Sequence, residues 1–118
     1  MGSIKGYYGA CRKILCQTAK RRETITYGGL ARALGLPSPR QEWNTVLNPI
    51  AADEKRKTGK DLTLVVVYAS GPAKGLGRYF SQGRVPQATM LDPQNPRQVA
   101  AYKQELEKIF DTYAEIAC

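Results

Sequence analysis

The chain has 118 residues and carries 18 Lys+Arg against 10 Asp+Glu, a formal charge of +8, with no histidine. That length allows one domain, 1–118, around one core, and 42% apolar with 24% charged residues is the composition of a folded soluble protein. Without histidine there is no imidazole base, no Ser-His or Cys-His pair and none of the commonest zinc ligand, so no enzyme activity, metal or cofactor is expected.

The longest apolar run, Leu62 to Ala69, is interrupted by Thr63 and is far shorter than the ~20 residues of a membrane helix, so no membrane partner is expected. Three cysteines, Cys11, Cys16 and Cys118, are too few and too odd in number for a disulfide framework, and a reducing, cytoplasmic setting is expected. Cys11 and Cys16, five apart on a helix, diverge by about 140°. Cys11 is expected to pack in the core and Cys118 to be a terminal thiol.

The charge is unevenly placed. Residues 1–84 hold fifteen Lys/Arg and five acids, a net +10, and residues 85–118 a net −2. A basic body of this kind suggests a polyanion partner, although solubility alone is the plainer explanation.

From the N-terminus, Tyr7, Cys11, Ile14, Leu15 and Thr18 recur at helical spacing, predicting an amphipathic helix to Lys20. Lys20-Arg21-Arg22 then closes it at the negative end of its dipole. Thr24-Ile25-Thr26 reads as extended. Thr26 is an N-cap for a second helix, Tyr27 to Leu34, which Gly35 ends. Ser38-Pro39-Arg40-Gln41 has the cap, first-turn proline and capping-box glutamine of a third helix. Its core stripe is Trp43, Val46, Leu47 and Ile50, with a kink or break expected near Asn48 because of Pro49. Helix is expected to continue from Ala51 to Lys57, with Asp53-Glu54 read as part of a solvated charged turn.

Asp61 to Ala69 reads as a strand. The turn-rich Ser70 to Gly77 follows, with Arg78-Tyr79-Phe80 as a returning strand. The glycine-rich loop lacks Gly-Lys-Ser/Thr and opens no helix, so it is no nucleotide-binding loop. Residues 81–94 look irregular. Asn95-Pro96 starts a last helix over 95–116, whose Val99, Tyr102, Leu106, Ile109, Tyr113 and Ile116 form a short heptad seam. That seam either docks on its own domain or pairs two copies as a homodimer.

This order predicts an α+β, mostly α fold: a winged helix-turn-helix with a β-hairpin wing and a long C-terminal helix, its basic core spanning 7–84. The expected partner is double-stranded DNA. Arg40, Gln41, Asn44 and Asn48 on the third helix would meet base edges, where Asn and Gln can pair bidentately with adenine. Tyr27, Lys20, Arg21, Arg22, Lys74 and Arg78 would serve phosphates. Two readings stand beside this one. The polar face is an ordinary solvated surface, or the domain is a protein-interaction module, such as a small bacterial or phage regulator of a larger nucleic-acid machine.

Thr24-Ile25-Thr26-Tyr27-Gly28-Gly29-Leu30-Ala31, with Leu34-Gly35 and Pro39-Arg40-Gln41, resembles the DNA-binding domain of O6-alkylguanine-DNA alkyltransferases and alkyltransferase-like proteins. The likeness covers roughly residues 7–50. It implies that Tyr27 presses on the phosphate beside a flipped nucleotide and that Arg40 is the finger filling the gap. The family's Pro-Cys-His-Arg signature, or its tryptophan version, is missing: the chain reads Lys60-Asp61-Leu62-Thr63-Leu64-Val65-Val66-Val67-Tyr68 there. Alkyl transfer by that route is therefore excluded, and the resemblance implies fold and DNA-binding mode only.

Overall fold

The computed structural model describes residues 4–37, 43–80 and 91–118. It is mostly helical, with one small two-stranded parallel sheet. A 3-10 turn, Ile4–Tyr7, leads into helix α1 (Tyr8–Lys20), which buries Cys11, Leu15, Cys16, Thr18 and Ala19. The chain leaves α1 through a left-handed residue, Arg22 at φ 56°, with Arg22 N–H donating to the Ala19 carbonyl and Glu23 N–H to the Thr18 carbonyl. A non-glycine residue in this region is strained by about 1 kcal/mol. Two ion pairs from Arg22 to the last helix hold it there.

Strand β1 (Ile25–Thr26) runs into helix α2 (Tyr27–Leu34). The Thr26 hydroxyl accepts the Gly29 N–H at 3.0 Å. Gly35 ends α2 in the left-handed conformation at φ 71°, and Leu36 N–H returns to the Ala31 carbonyl. Helix α3 (Trp43–Thr58) buries Trp43, Val46, Leu47, Ile50 and Glu54. Its predicted start at Ser38 to Gln41 lies outside the described residues. Pro49 does not break it: the proline is exposed, its ring faces water, and the helix is continuous through it. Gly59, at φ 79°, follows its end.

The predicted strand from Asp61 to Ala69 is mostly not a strand. The Asp61 carboxylate accepts both the N–H and the hydroxyl of Thr63, which winds Leu62–Val65 into a 3-10 turn. Only β2 (Val66–Val67) stays extended, parallel to β1 with Ile25 opposite Val66 and Thr26 opposite Val67. Local side-chain capping has overridden β-branched composition, a context-dependent signal. The returning strand is also absent: Arg78–Phe80 is a 3-10 turn, and the loop closes through one antiparallel bridge, Val67 to Gly77. No hairpin wing is formed among the described residues. Gly77 cannot carry a side chain, since a Cβ there would lie 2.7 Å from the Tyr102 ring.

Helix α4 (Pro96–Ala114) starts as predicted, with the Asn95 side chain accepting N–H bonds from Arg97 and Gln98. It buries Tyr102, Ile109, Phe110 and Tyr113 against α1 and the 62–65 turn. Leu106 and Ile116 are half-buried against the main core, and Val99, with Leu106, packs on a second cluster of Ala73, Leu76, Phe80 and Tyr102. The stripe, read as either a docking face or a dimer seam, does pack on its own domain.

Two polar links tie the helices together. Glu54, expected in a solvated turn, is wholly buried: Arg12 of α1 donates to it through Nε (3.2 Å) and Nη2 (3.3 Å), and the Tyr113 hydroxyl of α4 donates to Oε1. Burial pushes the Glu54 carboxyl up, but the Tyr113 hydrogen bond and Arg12 outweigh it and leave the carboxyl below its ordinary range. The second link corrects the cysteine expectation. Cys118 is not a free thiol but is bonded to Cys16, with Cα atoms 5.8 Å apart across 102 residues of sequence; Cys11 is the free, buried cysteine. Burial pushes the Cys11 thiol up to about 12, so it is a packing group.

Two outcomes follow. Denatured protein should titrate one thiol before reduction, and dithiothreitol should lower the unfolding free energy in urea by about 2–4 kcal/mol. Glu54→Gln should cost about 3 kcal/mol at neutral pH by leaving Arg12 without its counter-charge. Because the folded-state Glu54 carboxyl is depressed, its contribution is complete above the ordinary value near 4.5 and fades as pH falls below it. The variant's urea midpoint should therefore fall less steeply than the wild type's on acidification.

Candidate nucleic-acid interface

Few of the residues expected at an anionic surface are free to serve one. Lys20 donates to the carbonyls of Tyr113 (3.3 Å), Ala114 (3.3 Å) and Ile116 (2.6 Å), closing the C-terminal end of α4 with a cation. Arg21 pairs with Glu23 at 2.9 Å. Arg22 bridges Glu107 (2.6 Å) and Asp111 (2.9 Å), with its guanidinium 5.4 Å from the Phe110 ring centre. Lys60 pairs with Glu105 at 3.3 Å. The acidic last helix therefore neutralises part of the basic body, and the exposed corner at Lys20 to Arg22 is already bonded within the chain.

Tyr27 opens α2 half-buried, with its ring centre 5.8 Å from that of Trp43 and 5.4 Å from that of Tyr68. Its phenyl ring packs helix on loop, a setting different from the exposed phosphate contact expected. Arg40 and Gln41 lie outside the described residues.

Arg78 is the largest correction. Expected on an exposed wing, it is fully buried. Its Nη2 donates to Oδ1 of Asn44 at 3.0 Å and to Oδ1 of Asn48, and its Nη1 to the Thr63 hydroxyl at 3.3 Å, while Nε has no hydrogen-bond partner. Thr63 donates in turn to Asp61, which also accepts the Tyr79 hydroxyl at 2.8 Å. Burial, then the Asp61 charge, pushes the Tyr79 phenol up to about 12. The guanidinium thus joins α3 to the segments flanking the loop and is closed off from solvent. Asn44 is half-buried and Asn48 exposed, so of this pair it is Asn48 that opens to solvent.

The solvent side of α3 runs through Thr45, Asn48, Pro49, Ala52, Lys55 and Arg56, all exposed and opposite the buried stripe. From Thr45 to Arg56 the helix rises about 17 Å. Arg56 pairs with Asp53, which also accepts the Tyr8 hydroxyl. Lys55 and Lys57 in the last turn, Arg32 on α2 and Lys74 on the loop are exposed, with no carboxylate partner among the described residues. Lys74 is exposed on the 70–77 loop, which is not the hairpin wing expected to carry it. Arg32 was overlooked; its only sequence signal is a cation on the helix preceding the turn.

Comparison of the chain with protein-family models, curated proteins and solved structures returns no match. No helix among the described residues is long and apolar enough to cross a membrane.

Removing the Arg78 fork should be costly. Arg78→Met, which leaves the buried Thr63 and half-buried Asn44 without their donor, should lower stability by about 2 kcal/mol. Arg78→Lys should recover only part of that, since one ammonium cannot reproduce a planar fork. Urea unfolding followed by circular dichroism measures both.

Proposed function

We propose that this chain is a non-catalytic double-stranded DNA-binding protein of helix-turn-helix type, alkyltransferase-like in arrangement but without alkyl transfer. The observation that carries the reading is the outer face of α3. Arg22 and Lys60 pair with α4, Lys20 caps its end and Arg21 pairs with Glu23. Of the exposed cations left over, Arg32 lies on α2, Lys55 and Lys57 on the last turn of α3 and Lys74 on the 70–77 loop, with Lys13 on α1 and Arg97, Lys103 and Lys108 on α4. The outer face of α3 from Thr45 to Arg56 adds an exposed, largely polar stripe of helix, long enough to follow a major groove.

In this reading Arg32, Lys55, Lys57 and Lys74 meet phosphates. Asn48 reaches base edges, as do Arg40 and Gln41 ahead of α3. A protein-docking face would be richer in exposed aromatic residues and methionine than Thr45, Asn48 and Ala52. The reducing, cytoplasmic setting expected from the cysteine count loses its premise with the Cys16–Cys118 bond.

Fluorescence anisotropy with a labelled duplex of about 30 base pairs at several salt concentrations tests the proposal. Four phosphate contacts should give a slope of roughly −3.6 in log affinity against log salt, and Lys55→Gln with Lys57→Gln should reduce its magnitude by about 2. Failure to bind any duplex at low salt overturns it.

A further inference from the structure

A buried arginine decides which end of an asparagine faces outward. A guanidinium has five N–H donors and no acceptor. An asparagine bonded to it must therefore offer its carbonyl oxygen, whichever way a carboxamide is otherwise free to turn. Arg78, fully buried, takes Oδ1 of Asn48 in this way, with Asn44 on the same Nη2 and Thr63 on Nη1. Turning the Asn48 amide over would set its N–H groups against the guanidinium, donor against donor, beside a buried charge. That arrangement is strongly disfavoured. Asn48 is exposed on the outer stripe of α3, so the end left for a ligand is its NH2, a pair of donors.

Resting on the DNA-binding reading above, we infer that Arg78 is a specificity-positioning residue that makes Asn48 a donor-only reader of base edges, selecting guanine and rejecting cytosine. The usual asparagine–adenine pair needs both ends of the amide, one donating to N7 and one accepting from N6. Arg78 uses one of the two lone pairs of Oδ1 and turns that oxygen toward a buried group, so the NH2 end is the one presented to a base. Guanine presents two neighbouring acceptors, N7 and O6, to a two-donor group. Adenine offers N7 alone and thymine O4 alone, and cytosine presents only an N4 donor. The expected order at the base facing Asn48 is guanine, then adenine or thymine, then cytosine.

The test is selection from a randomised duplex library, followed by anisotropy on the enriched sequences. The wild-type chain should enrich guanine at one position, binding it about tenfold or more tightly than cytosine there, the scale of one good base contact. Asn48→Ala should erase the preference at that position alone. Asn48→Asp keeps an acceptor for Arg78, adds a counter-charge and removes both donors. It should reverse the order, favouring cytosine, whose N4 group donates to a carboxylate. Arg78→Met, if folded by circular dichroism, should release the amide and move the preference to adenine. If Arg78→Met does not fold, the wild-type order of guanine against adenine at that position decides the matter. Duplex binding with adenine favoured by the wild type, or with no position altered by Asn48→Ala, overturns the inference and leaves DNA binding standing. No duplex binding at all overturns both.

Discussion

A single carboxylate, that of Glu54, sits where three helices meet, and most of the molecule's geometry depends on its being satisfied. An ionised side chain out of contact with water is tolerable only when its lone pairs and its charge are both answered. Here the guanidinium of Arg12 answers the charge from α1, and the Tyr113 hydroxyl supplies a further hydrogen bond from α4. Because each partner comes from a different helix, the pair fixes how α1 and α4 sit on α3. Apolar burial around Leu15, Leu47, Ile50 and Ile109 drives the association but is non-directional; the ion pair sets the register.

The same logic governs the charge distribution. A net +10 body beside a −2 tail suggests two segments with separate duties, yet the contacts join them. Glu105, Glu107 and Asp111 of α4 meet Lys60 and Arg22 of the body. What remains uncompensated is smaller than the count implies.

Local chemistry was legible in the sequence and long-range chemistry was not. Thr26 and Gly35 bracket α2, and Asn95-Pro96 opens α4, because caps act within three or four residues. The stripe on α3 was legible for the same reason. Asp61 turned an apparent strand into a 3-10 turn through two hydrogen bonds that composition does not register. Glu54 was hidden among Asp53, Lys55, Arg56 and Lys57, its partners lying 42 and 59 positions away. Cys118 was unreadable without the fold that brings it to Cys16. Of the candidate site, Lys74 and the outer face of α3 were found from sequence, whereas the burial of Arg78 depends on Asn44, Asn48 and Thr63 converging from separate segments.

The Cys16–Cys118 bond has a topological consequence. It makes everything from the middle of α1 to the last residue a covalent ring. One backbone cut anywhere in that ring leaves a single molecule of unchanged composition apart from one added water. Its two pieces remain joined through sulfur until they are reduced. A protease nicking one exposed loop would therefore open the ring without releasing either α4 or the basic body.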